Sequence, residues 1–87
     1  MQCFISSLKY EEISDAIINR LHRGCTIIEA QGGYSKQSAK VLMVVVRKNM
    51  LVHIMDIVRE IDPKAFVSQA VVHGVYGEGF DPIKREK

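Results

Sequence analysis

Two apolar runs separated by a polar segment dominate the middle of the chain. Cys25, Thr26, Ile27 and Ile28 make the first; Val41, Leu42, Met43, Val44, Val45 and Val46 form the second without a break. Gly32 and Gly33 lead the polar segment between them. Short bounded runs rich in β-branched residues predict strands, and a polar, glycine-containing centre predicts the loop that joins them. An unbroken apolar strand has to be covered on both faces, so the run 41–46 is expected in the middle of a sheet. Upstream, Tyr10, Ile13, Ala16, Ile17 and Leu21 recur at helical spacing and predict a helix over 8–23. Ser7 is a candidate N-cap, and Glu11 and Glu12 suit the positive end of the helix dipole. Arg20, His22 and Arg23 suit its negative end, and Gly24 is a candidate left-handed stop. Downstream, Leu51, Ile54, Val58 and Ile61 form an apolar stripe widened by Met50, Met55 and Ile57. His53, Asp56 and Glu60 fall opposite, which predicts a second helix over 49–61 with Asn49 as its cap and Asp62-Pro63 as its end. A first strand is expected over 2–6 around Phe4 and Ile5, and a last one over 65–73 with Phe66, Val67, Val71 and Val72. The glycine-rich end, with Gly74, Gly77, Gly79 and Pro82, is expected to be irregular.

The order is β-α-β-β-α-β. Right-handed crossovers turn it into an α+β, ferredoxin-like split βαβ arrangement, a four-stranded antiparallel sheet with both helices on one face. A single domain is expected over 1–80, followed by a charged C-terminal tail over 81–87. In this topology strands one and three are central and strand two is an edge. Val41, Met43 and Val45 then share one face of the sheet, and Leu42, Val44 and Val46 the other. Two helices cover only one of these faces. The other presents an apolar patch to water, which in folded proteins usually marks an interface. Self-association is the expected remedy; the alternative is that loops and the C-terminal tail fold over it.

Composition narrows the function classes more than it names one. Eighty-seven residues allow one small domain, and 47 % hydrophobic with 25 % charged residues is an ordinary globular balance. No apolar stretch approaches the roughly 18 residues of a membrane-spanning helix, and no basic-then-apolar start resembles a signal peptide. A formal net charge of +2 is too small to imply a nucleic-acid or membrane partner by electrostatics. Cys3 and Cys25 fit neither a disulfide framework nor a zinc-knuckle spacing and sit in apolar strand patterns, as free thiols in a reducing setting would.

Candidate chemistry is sparse. His22, His53 and His73 are scattered, with no two at metal-ligand spacing, so no metal site and no cofactor are expected. No Ser/His/Asp or Cys/His arrangement stands out, and catalysis has no positive support. Gly74, Gly77 and Gly79 resemble a phosphate loop superficially, but such a loop opens a helix, and Asp81-Pro82 follows here. RNA-recognition modules share the element order yet need exposed aromatics on the two central strands. Strand three has none and strand one only Phe4, so no nucleic-acid polymer is expected as partner. Two glycine segments are the candidate ligand-binding residues: Gly32, Gly33, Tyr34 and Ser35 in the hairpin loop, and Gly77, Glu78, Gly79 and Phe80 after the last strand. Glycine amides can donate to an anionic or polar ligand, Tyr34 or Phe80 can stack, and Glu78 can accept from an amine or base edge.

Taken together, Arg23-Gly24 with Thr26, Gly32-Gly33-Tyr34, Asp62-Pro63 with Ala65-Phe66, and Gly77-Glu78-Gly79-Phe80 resemble the C-terminal cytosolic domain, of unknown function, of the YitT family of bacterial membrane proteins. The resemblance runs over about residues 4–80. Where that family commonly continues the glycine loop with threonine and glycine, this chain has Ser35 and Lys36. The resemblance implies a fold similar to PII-type (GlnB-like) signalling proteins and a place behind membrane-spanning helices, on the cytoplasmic side of the membrane. It also implies a non-catalytic role in sensing a small, nucleotide-like effector, with a homo-oligomer as the expected assembly. An oligomerisation module without a ligand is the alternative.

Overall fold

Side-chain alternation along four short strands sorts the chain into a buried and an open sheet face. The computed structural model describes residues 1–77; Glu78, Gly79, Phe80 and the tail 81–87 lie outside them. Strand β1 is Gln2–Ser6, helix α1 is Tyr10–Ala16 and continues into a π-helical turn, Ile17–Leu21. Strands β2 (Thr26–Gln31) and β3 (Ser38–Val45) form a hairpin. A 3₁₀ turn, Lys48–Met50, leads into α2 (Leu51–Ile61), and β4 is Phe66–Ala70. The antiparallel sheet runs β2-β3-β1-β4, the ferredoxin-like order, with β1 and β3 central.

The core lies between the helices and the central strands. Cys3 and Ile5 of β1, Leu42 and Val44 of β3, Ile13 of α1, Ile17 of the π turn, and Ile54, Ile57 and Val58 of α2 are all buried. These are the positions that the helical stripes and strand alternation require. No residue of β2 or β4 is buried. Met1 and Val46 exchange backbone hydrogen bonds of 2.9 Å, extending the β1–β3 ladder by one pair beyond Gln2 and Val45.

The helix termini depart from expectation. Ser7 does not cap α1: the helix begins at Tyr10 behind Lys9, and the Ser7 hydroxyl is committed elsewhere. Asn49 does not cap α2 by its side chain either, because it lies inside the 3₁₀ turn that feeds the helix. The first helix is stopped by His22, whose backbone is left-handed (φ 56°, ψ 39°), and not by Gly24, which is outside that region. Strand β3 starts earlier than the apolar run, at Ser38, because pairing with β2 carries it past the hydrophobic segment. Strand β4 is shorter than expected and ends at Ala70. It runs out where β1 does, since Ala70 pairs with Gln2.

Candidate functional site

The extra length of the β2–β3 hairpin creates the site. Strand β1 ends at Ser6, opposite Val41, whereas β3 reaches back through Lys40 and Ala39 to Ser38, paired there only with β2. Among the described residues no strand pairs with the edge of β3 that faces away from β2 over Ser38, Ala39 and Lys40. A cleft of about 630 Å³ fills the vacated place. It is bounded by residues 38–40, by residues 6–10, and by Asp62, Lys64 and Phe66 at the turn between α2 and β4.

Ser7 and Asp62 hold its two loops together. The Ser7 hydroxyl donates to Asp62 Oδ2 at 2.5 Å and accepts from the Lys9 amide at 2.9 Å. Asp62 Oδ1 accepts from the Lys64 amide at 3.0 Å, and the Asp62 carbonyl accepts from the Ala65 amide at 3.1 Å. The Ser7 hydroxyl first, and then the Lys64 amide, hold the Asp62 carboxyl below its ordinary range. Lys9 Nζ reaches across to the Ile61 carbonyl at 3.3 Å. The aspartate sits in the cleft with its oxygens already engaged.

Three cations share the cleft with it. Among the described residues Lys9, Lys40 and Lys64 line the cleft, against the single carboxylate of Asp62. Lys40 pairs with Glu29 across the hairpin, the two being cross-strand partners, which raises the lysine and lowers the carboxylate. Apolar surface adjoins these charges: Leu8 is 99 % and Phe66 72 % exposed, and Tyr10 is half-buried. Exposed apolar side chains beside convergent charged groups in a concavity are the usual make-up of a small-molecule site. Chemically, the arrangement can receive negative charge and a compact apolar group together.

None of the described glycine-segment candidates, Gly32, Gly33, Tyr34, Ser35 and Gly77, lines this cleft. Gly32 closes the hairpin connection, its amide donating to the Gln37 carbonyl at 2.9 Å and its carbonyl accepting from the Lys36 amide at 3.0 Å. A side chain at Gly32 would lie 2.5 Å from the Ser35 hydroxyl, a contact that rotation of the serine relieves. A side chain at Gly33 would meet nothing within 4 Å, and Tyr34 is fully exposed at the tip. Gly77 has φ +114°, a conformation suited to glycine. Glu78, Gly79 and Phe80 lie outside the described residues. Among the described residues no hydrogen bond joins Gly77 to the hairpin tip.

The cysteines and histidines add no site. Burial pushes the Cys3 thiol up, and burial pushes Cys25 up against an opposing hydrogen bond with Ser14, so neither is an activated thiolate. Both are free. Among the described residues no group of three His, Cys, Asp or Glu is placed to hold a metal ion, and no helix is long and apolar enough to cross a membrane.

A small ferredoxin-like α+β domain with a cation-lined cleft at one end of its sheet is the class these observations define. Residues 23–77 match the family described as an uncharacterized protein conserved in bacteria (DUF2179), and the chain belongs to that family. It is 45 % identical over 76 residues to the UPF0750 membrane protein YpjC of Bacillus subtilis, covering 87 % of this chain and 26 % of that protein. It is 30 % identical over 77 residues to the UPF0750 membrane protein YitT of the same organism, covering 88 % of this chain and 28 % of that one. The chain thus spans about a quarter of the length of these relatives. Among solved structures it is similar to the DUF2179 protein of Eubacterium ventriosum, with TM-score 0.69 and 34 % identity over 77 % of this chain and 92 % of that one. The matching family and this structure carry no catalytic assignment.

Proposed function

We propose that the chain is a non-catalytic sensing domain that binds a small effector in the cleft at the end of the sheet and reports to an attached membrane protein. The single observation that carries this reading is the cleft itself, with three lysines and exposed apolar side chains converging on about 630 Å³. The naming of the relatives as membrane proteins supports the attachment. Placement behind the membrane helices on the cytoplasmic side, and the likeness to PII-type signalling domains, belong to the same proposal. The glycine segments stay in it as a second contact surface, with Tyr34 as the exposed aromatic.

The test is a melting screen of the 87-residue chain against nucleotides, cyclic dinucleotides and amino acids. A ligand of the native state at 100 times its Kd stabilises by about 2.7 kcal/mol, which raises Tm by several degrees in a domain this small. A hit that is lost in Lys64→Gln and retained in Tyr34→Ala puts the effector in the cleft; the reverse pattern moves it to the hairpin tip. No shift with any compound class overturns the sensing reading.

One observation favours a second reading, an assembly module. The open face of the sheet carries Gln2, Phe4, Ser6, Thr26, Ile28, Ala30, Ala39, Val41, Met43, Val45, Phe66, Ser68 and Ala70 by register, and none of these is charged. A face without charge docks on a second copy of itself without stranding an ion.

A further inference from the structure

The geometry points to a ligand of one class for the cleft: a phosphomonoester or similarly dianionic small molecule with a compact apolar part, for which the carboxylate of Glu29 competes from within the chain. The inference rests on the sensing reading and deepens it.

The charge balance selects the anion. Among the lining residues Lys9, Lys40 and Lys64 oppose one carboxylate, and that carboxylate, Asp62, is engaged by the Ser7 hydroxyl and the Lys64 amide. Asp62 is therefore already satisfied as an acceptor; the Lys64 ammonium and that of Lys9, which makes one long bond to the Ile61 carbonyl, are left to meet the ligand, joined by Lys40 when it leaves Glu29. Within the lining the described lysines exceed the carboxylate by two, and by one while Glu29 holds Lys40; a dianion offsets the full excess once Lys40 is drawn from Glu29, whereas a cationic or neutral ligand offsets none of it. Exposed Leu8 and Phe66 beside the lysines give the rest of the molecule an apolar wall. Ser6 and Ser38 also line the cleft and offer hydroxyls to further ligand oxygens.

Glu29 enters because it is not part of the cleft, yet holds one of its cations. Lys40 lines the cavity and at the same time pairs with Glu29, its cross-strand partner on the helix side of the sheet. The lysine side chain is one-third exposed and the glutamate 82 % exposed, so the pair is open to exchange. An incoming anion has to draw Lys40 from Glu29 or accept only two cations. Such an arrangement makes the hairpin responsive: binding loosens a cross-strand contact between β2 and β3 just below the exposed tip.

The experiment titrates phenyl phosphate, inorganic phosphate and uncharged benzyl alcohol into the 87-residue chain, followed by amide NMR shifts and calorimetry. Phenyl phosphate is expected to bind tighter than either fragment, to shift the amides of residues 7–10, 38–40 and 62–66, and to weaken with added salt. Lys9→Gln and Lys64→Gln are each expected to weaken it about three- to tenfold, the range for loss of one charge-assisted hydrogen bond at an exposed site. Glu29→Gln is expected to strengthen it by a few-fold, which no purely structural role for that pair produces. Vesicles of phosphatidylcholine with and without phosphatidic acid separate the sources: pelleting with the phosphatidic acid vesicles alone assigns the phosphate to a lipid headgroup. Soluble phenyl phosphate binding without pelleting assigns it to a free metabolite. Phenyl phosphate that shifts no cleft amide, or binds equally well to the parent and to all three variants, overturns the inference. If uncharged or cationic compounds from the melting screen shift those amides instead, the ligand class is wrong and the sensing reading survives. If no compound of any charge shifts them, both fall.

Discussion

At the scale of single residues, Ser7 and Asp62 decide whether the cleft has a fixed shape. Their bond spans 55 positions of sequence and joins the loop after β1 to the turn after α2. A carboxyl whose folded pKa is depressed contributes stability above the ordinary aspartate range and loses it as pH falls through the folded value. Ser7→Ala removes the largest cause of the depression. The difference in Tm between parent and Ser7→Ala is therefore expected to be largest near neutrality and to close as pH falls below the ordinary aspartate range and through the depressed folded value, where the carboxylate is lost in both. Glu29 and Glu60, also depressed by their partners Lys40 and Arg20, keep the acid response of the two proteins otherwise alike. A difference that stays constant with pH would show that the hydroxyl acts by packing and not through the charge. Nothing in the sequence marks this pair. Ser7 reads as a helix cap and Asp62 as a helix end beside proline, and each reading uses only local spacing.

At the scale of elements, hydrophobic periodicity carries furthest and punctuation least. The stripes through Ile13 and Ile17, and through Ile54 and Val58, face the core as their spacing requires. The run 41–46 is central as its composition demands, although only Leu42, Val44 and Val46 are buried, so covering on both faces is not met among the described residues. Helix stops are different. Gly24 is a plausible left-handed residue by type, yet the left-handed position falls on His22, because the π-helical turn ends the helix earlier. A side chain at Gly24 meets nothing within 4 Å and its backbone is outside the left-handed region. Gly24→Ala is accordingly expected to stabilise the domain by about 0.4–1 kcal/mol through the unfolded chain, read as a raised urea midpoint with an unchanged slope. Destabilisation would mean that glycine is needed there after all. The cleft was illegible for a related reason. It is assembled from residues 6–10, 38–40 and 62–66, which no single motif contains. The signal that remains in the sequence is that Lys9 follows β1, Lys64 precedes β4 and Lys40 lies near the start of β3, all at the same end of the sheet once the element order is granted.

At the scale of the whole molecule, the sheet divides the chain into two unlike surfaces. Glu29 and Lys40, the two charges within the strands, lie on the helix side by register, and the open side carries none. Phe4, Ile28 and Phe66 remain exposed there around half-buried Val41, Met43 and Val45. Met43 is at the centre, opposite both Phe4 and Thr26. Burying each large apolar side chain is worth about 1.5–3 kcal/mol, so a patch of this extent favours a second copy at moderate concentration. Sedimentation of the parent chain is expected to show a concentration-dependent increase in mass. Met43→Glu places a charge in the middle of the patch, where pairing two copies would bring like charges together or bury them unpaired. It is expected to abolish the increase while leaving the core residues Leu42 and Val44 undisturbed, which an unchanged far-ultraviolet spectrum and a cooperative melt would verify. Phenyl phosphate binding supplies the control, since the cleft does not include Met43. If Met43→Glu loses both association and ligand, the cleft is completed only in the assembly. If it stays folded and associates like the parent, the open face is not the contact, and the unpaired edges of β2 and β4 become the surfaces to test.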